Sequence, residues 1–101
     1  MNDAQANILL QVSNSNIREL FIDQNPGVSE ILFAGFISED SNVKTLSARS
    51  NNIGDAGAKA IAAALKINRS LTILNLWDNR IRRDGAEAIA DVSLWNVYIR
   101  V

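Results

Sequence analysis

Two pairs of carboxylates could carry acid–base chemistry: Glu39 with Asp40, and Asp55 with Asp84. Each has a simpler reading. Asp55 and Asp84 fall at helix starts, where a side-chain oxygen is wanted to accept the first free N–H groups. Glu39 and Asp40 fall in a loop before a strand. The chain has no histidine and no cysteine, which removes imidazole bases, thiol nucleophiles, disulfides and the usual zinc donor sets. Gly54 and Gly57 lack the strand–Gly-x-Gly-x-x-Gly spacing that cradles phosphate. No catalytic, cofactor-binding or metal-binding residue is expected, no cofactor is called for, and the chain reads as non-enzymatic.

The remaining chemistry is that of contact. Phe21, Asp23, Arg49, Trp77, Tyr98 and Arg100 combine large rings, two arginines and an acid, and rings and arginines are the types that anchor protein interfaces. Arg80, Arg82 and Arg83 form the basic cluster, interrupted by Ile81 and followed by Asp84; it reads as a solvated loop. A net charge of −1 and a pI of 5.2 leave no basic surplus for nucleic acid. No apolar run approaches the roughly 20 residues that span a bilayer, so no membrane partner is expected. The opening MNDAQANILLQV carries Asp3 too early for a secretory signal. Cytoplasmic residence is expected. Asn68-Arg69-Ser70 fits a glycosylation acceptor, a triplet common by chance.

These residues need elements to position them, and the elements repeat. The 101 residues are 48% hydrophobic and 21% charged, which suits one soluble domain with a small core. The pattern apolar-x-x-apolar-x-apolar-x-x-Asn fits Ile17, Leu20, Ile22 and Asn25, then Val43, Leu46, Ala48 and Asn51, then Leu71, Leu74, Leu76 and Asn79. A partial copy begins at Leu94 with Val97 and Ile99. The intervals are 26, 28 and 23 residues, and a small polar residue (Asn16, Asn42, Ser70, Ser93) precedes each copy. After Asn51 come Ile53, Gly57, Ile61 and Leu65, and after Asn79 come Ile81, Gly85 and Ile89. Spacings of four put these on one helix face, and the alanines at 58, 60, 62, 63 and 64 favour helix and close approach. Each unit therefore reads as a short strand, a turn and a helix.

VKTLSARSNNIGDAGAKAIAAAL (Val43–Leu65) and LTILNLWDNRIRRDGAEAIA (Leu71–Ala90) resemble the leucine-rich repeat family in its longer, ribonuclease-inhibitor-like subtype. The match is specific over Val43–Ala90 and looser over Ile17–Asp40, where Pro26-Gly27 replaces the usual turn. The third unit loses residues near Val92. The expected fold class is α/β: a short solenoid of about three and a half strand–helix repeats, with a parallel sheet on the concave side and helices on the convex side. Residues 1–16 form a capping helix, 17–42, 43–70 and 71–93 the repeats, and 94–101 a final strand. The resemblance implies that Asn25, Asn51 and Asn79 form a ladder inside the turns, where an amide can both donate and accept. It also implies a scaffold for protein partners.

Strand alternation sorts the rest. Ile17, Leu20, Ile22, Val43, Leu46, Ala48, Leu71, Leu74, Leu76, Val97 and Ile99 should point inward. Glu19, Phe21, Asp23, Thr45, Ser47, Arg49, Ile73, Asn75, Trp77, Asn96, Tyr98 and Arg100 should face out. Across the strands this gives the rows Phe21–Ser47–Asn75–Tyr98 and Asp23–Arg49–Trp77–Arg100, with an Asp23–Arg49 pair open between neighbours. At the N-terminus, Asp3–Val12 reads as a helix with Ala6, Leu9, Leu10 and Val12 apolar. At the other end Leu94–Val101 reads as a strand that no helix covers, and an apolar edge strand invites pairing. The leading expectation is a protein-interaction module using the concave face, with a partner of unknown identity. The alternative is a self-assembling structural protein, a homo-oligomer joined through Leu94–Val101 about a two-fold axis or head to tail.

Overall fold

The alternation of inward leucines with polar or aromatic residues yields strands, and the four-spaced apolar residues yield helices. The computed structural model describes residues 1–13, 17–92 and 97–101, and all their side chains but those of 12 and 13. Asn16, Ser93, Leu94, Asn96 and the Val12 side chain lie outside the described residues. In chain order the elements are helix α1 (Asp3–Ser13), strand β1 (Glu19–Phe21), a 3₁₀ helix (Glu30–Ile37), β2 (Thr45–Ser47), α2 (Gly54–Leu65), β3 (Ile73–Asn75), α3 (Arg83–Asp91) and β4 (Tyr98–Arg100). The strands form one parallel sheet in the order β1-β2-β3-β4. No described helix is long and apolar enough to cross a membrane.

Leu20, Leu46, Leu74 and Ile99 stand beside one another across the sheet. Leu20, Leu46 and Leu74 are buried, as are Ile22, Val43, Ala48, Leu71 and Leu76. Ile17, Val97 and Ile99 are half-buried at the two ends of the sheet. Full burial of one such side chain contributes roughly 2 kcal/mol, so no single unit could hide enough apolar surface alone. Ile61 and Leu65 of α2 and Ile89 of α3 complete the core from the helical side.

The last strand departs from the expected register. Tyr98 stands beside Ile73 and Arg100 beside Asn75, so the rows are Thr45–Ile73–Tyr98 and Phe21–Ser47–Asn75–Arg100. Counting the fourth copy from Leu94 placed it two residues out. A shift of one residue would have turned every side chain to the wrong face, but a shift of two leaves the faces unchanged. Alternation alone is blind to that error.

The first unit departs in its helix. Glu30–Ile37 is a 3₁₀ helix, which rises about 2.0 Å per residue against about 1.5 Å in an α-helix. Its 8 residues therefore reach nearly as far as the 12 of α2, which is how a shorter repeat spans the same layer. Its three-residue turn also brings Phe33 and Phe36 onto one side. Both are fully buried and meet edge to face, with centroids 6.3 Å apart.

The two helix-start acids do not cap their own helices. Asp55 Oδ1 accepts from the N–H groups of Arg82 (2.7 Å) and Gly85 (3.1 Å), at the start of the following helix. Asp3 of α1 does the same one unit earlier: its oxygens accept from the Ser29 N–H (2.7 Å) and hydroxyl (2.6 Å), where the 3₁₀ helix begins. An acid inside the first helical turn projects sideways toward the neighbouring unit, whose free N–H groups are the nearest donors. Asp84 is exposed, and Arg82, the residue before α3, makes no capping bond with its own side chain.

Candidate functional site: the solvent face of the sheet

Each strand is three residues long, and Asp23, Arg49 and Trp77 prolong its outer face by two positions. The pairing continues with them: the Gln24 N–H donates to Arg49 O (2.9 Å) and the Ser50 N–H to Trp77 O (3.0 Å). Phe21 and Tyr98 are 65% and 69% exposed, and Trp77 44%. Arg49 and Arg100 are exposed, whereas Ser47 of the outward set is covered.

Trp77 is the most shielded of the three rings, and two cations lie over it. The Arg49 Cζ lies 5.4 Å from the ring centroid and the Arg100 Cζ 5.6 Å. Arg49 comes from the position directly beside Trp77, and Arg100 reaches it on the diagonal from β4. A guanidinium over an indole at an exposed site contributes about 0.5–1 kcal/mol. Among the described residues the only ion pair is Arg83 with Glu87, an exposed pair at 3.1 Å one helical turn apart, so neither Arg49 nor Arg100 is neutralised by a carboxylate there.

Asp23 and Arg49 do meet, but through the backbone. Asp23 Oδ1 accepts from the Ser47 hydroxyl (2.7 Å) and from the Arg49 N–H (2.7 Å). The first of these bonds holds the Ser47 side chain against Asp23. The Arg49 guanidinium itself lies over the Trp77 ring.

One residue farther on, the backbone turns. Gln24, Ser50 and Asp78 have φ of 59°, 58° and 59°, a left-handed conformation uncommon for residues other than glycine. The turn carries the next residue, asparagine in all three units, inside. The Asn51 N–H donates to Asn79 Oδ1 (2.8 Å) and the Asn25 N–H to Asn51 Oδ1 (2.6 Å). Asn79 Nδ2 donates to the carbonyls of Ala48 (2.8 Å) and Leu76 (2.9 Å), and Asn51 Nδ2 to those of Ile22 and Arg49 (both 3.0 Å). Asn79 Oδ1 also accepts from the Ile53 N–H (3.2 Å). Asn51 and Asn79 are buried; Asn25, at the end of the column, is half-buried and accepts from the Met1 amino group (3.1 Å). A shallow cleft of about 300 Å³ lies over these turns, lined by Pro26, Ser50, Asn52, Asp78 and Arg80.

Other polar residues with defined work escaped the sequence reading. Asn2 and Gln5 exchange backbone N–H and side-chain oxygen bonds, both 2.9 Å, which closes the start of α1; the polar-x-x-Gln spacing was the available signal. Ser29 holds the Asp3 carboxyl below its ordinary 3.8, first through its hydroxyl and then through its backbone N–H, against a smaller opposing effect of desolvation. Asn68 is buried, its Nδ2 donating to Ile37 O (3.0 Å) and Ser38 O (3.1 Å) and its Oδ1 accepting from the N–H groups of Ser70 and Leu71. An amide so engaged is structural and is unsuited to glycosylation. Arg80, Arg82 and Arg83 are exposed.

Known proteins bear on this arrangement in two ways. The family model described as Leucine Rich repeat matches residues 40–62 and 68–90. The chain is also similar to a protein phosphatase 1 regulatory subunit 37 homolog from Caenorhabditis briggsae, 29% identical over 94 residues, an alignment covering 85% of this chain and 10% of that protein. The chain thus spans about a tenth of that relative's length. No solved structure matches.

Proposed function

This chain is a leucine-rich repeat protein, and we propose that it works as a non-enzymatic protein-interaction module through the solvent face of its sheet, the concave face in this architecture. The observation that supports this reading is the exposed group of Phe21, Trp77 and Tyr98 with two arginines lacking a carboxylate partner among the described residues. Interior packing makes no use of these rings. Their types are those that dominate binding energy when a partner excludes water from them. Asp23 belongs to the face as the acid that sets the Arg49 backbone in place. The relative's name describes a regulatory subunit, a role that suits a chain acting by binding. Cytoplasmic residence belongs to the same proposal.

The test is a pull-down with the natural chain and with Trp77→Ala, with circular dichroism to show that the variant folds. Loss of the partner from a folded variant supports the reading, and equal recovery contradicts it.

A second reading is self-assembly through Leu94–Val101. It draws on β4, which among the described residues pairs only with β3 and exposes Tyr98 and Val101. A second copy adding a strand there would cover both. Light scattering distinguishes the two readings: a clean particle of 11.1 kDa at dilute concentration removes self-assembly, and a defined homo-oligomer without another protein favours it.

A further inference from the structure

The two guanidiniums on Trp77 say more about the occupant of this face, an inference that rests on the binding role proposed above. We propose that the partner presents an acidic segment, its carboxylates taken by Arg49 and Arg100 and its apolar side chains laid against Trp77 and the neighbouring rings. Both Cζ atoms lie within 5.6 Å of one ring centroid, so two like charges are gathered on a single side chain. They repel each other, and the ring's negative face offsets only part of that. No carboxylate among the described residues forms an ion pair with either guanidinium; of the two closest along the chain, Asp23 accepts from the Ser47 hydroxyl and the Arg49 N–H through Oδ1, and Asp78 accepts the Ser50 hydroxyl through Oδ2 at 2.8 Å.

The ring contact also prepares the arginines. A guanidinium drawn to an indole face ranges over fewer positions than a free one, and its N–H groups remain able to donate to a carboxylate. Less side-chain freedom is then lost on binding than from a free arginine. Arg80 is exposed on the rim of the adjoining cleft, which Asp78 also lines. Ile73 at 45% exposure, with Phe21 and Tyr98, supplies apolar surface along the same strands. Acid interspersed with apolar residues is the complement of that surface. Phosphate would suit the guanidiniums too, but a chain of net charge −1 has no basic surplus to follow a long polyanionic backbone, whereas a short segment with a few carboxylates needs only Arg49 and Arg100.

The test titrates the full ¹⁵N-labelled chain with the peptide Glu-Glu-Leu-Glu-Glu, with its Gln-for-Glu and Lys-for-Glu counterparts, and with a single-stranded oligothymidine. The acidic peptide is expected to shift the Trp77 indole N–H and the Arg49 and Arg100 amides in a saturable way. Arg49→Gln and Arg100→Gln should each weaken it roughly three- to tenfold. Raising salt from about 50 to about 500 mM should weaken it several-fold. Arg82→Gln with Arg83→Gln should change it less than about twofold, since those side chains lie on the α3 side. Equal or tighter binding of the Gln or Lys peptide at the same residues overturns the acidic partner while leaving a binding face. Tighter binding of the oligothymidine there, or no saturable shift with the acidic peptide, likewise overturns it. Shifts by the acidic peptide confined to the helices overturn it as well, and they remove this face as the binding surface too. Failure of the broader reading shows separately, as partner recovery indifferent to Trp77→Ala.

Discussion

Arg49 and Asn51 are two residues apart, as are Trp77 and Asn79, yet the two columns they form have opposite fates. In the asparagine column the amides are spent on backbone groups of the same or the adjacent unit. Among the described residues no buried side-chain nitrogen or oxygen lacks a partner. In the outer column charge is left over, stacked on a ring and open to solvent. The left-handed residue between them, Ser50 or Asp78, is the divide. Ahead of it, strand alternation sends a side chain out; behind it, the turn folds the next one in. A repeat protein can thus keep its structural polar residues fixed and vary its contact residues two positions away.

That contrast can be attacked at its strong side first. Asn79→Ala leaves the Asn51 and Ile53 N–H groups and the Ala48 and Leu76 carbonyls without their partners in a buried turn. The expected cost is about 3 kcal/mol, a large share of a small domain's stability, read from urea unfolding. A cost below about 1 kcal/mol would mean that water or a rearranged turn replaces the ladder.

Gly85→Ala probes the layer behind the columns. A Cβ there would sit 2.6 Å from Asp55 Oδ1 and 3.0 Å from the Ala58 Cβ, so the cap must open or α3 must move. About 1–3 kcal/mol should be lost, with faster amide exchange at the start of α3 before elsewhere.

Trp77→Ala should cost no more than about 1 kcal/mol, since the ring is half exposed and its cation contacts are at the surface. Its effect belongs in binding, where recovery of a partner should fall roughly tenfold or more. A stability loss matching that of Asn79→Ala would erase the distinction between the columns.

The mildest test concerns Asp3. Its carboxyl is held below 3.8 in the folded chain, so its contribution is fully present above that value. It is lost as pH falls from there through the lower folded value. Asp3→Asn should therefore flatten that part of the acid arm of the pH–stability profile, while the neutral arm keeps its shape.

Legibility followed the strength of the local pattern. Over Val43–Ala90 the strand period, the helix period and the asparagine spacing agree, and the parallel sheet and its inward leucines follow from them. The register of β4 was hidden because a two-residue slip preserves the faces. The 3₁₀ helix was hidden because Phe33, Phe36 and Ile37 suit either helix type, and only the shortness of the first repeat hinted at the longer rise per residue. Asp55 was read as a cap for its own helix because sequence distance says nothing of the neighbouring unit, whose N–H groups lie nearer in space. The guanidinium–indole stack depends on a diagonal between strands, so it could not be read before the register was known.

The most direct measurement is hydroxyl-radical footprinting of the native chain at dilute concentration, read residue by residue by mass spectrometry. Phe21, Trp77 and Tyr98 should be oxidised in the folded protein, while Phe33 and Phe36, fully buried here, should react only after unfolding. Protection of the first three rings in the isolated monomer, or ready oxidation of Phe33 and Phe36, would contradict the account.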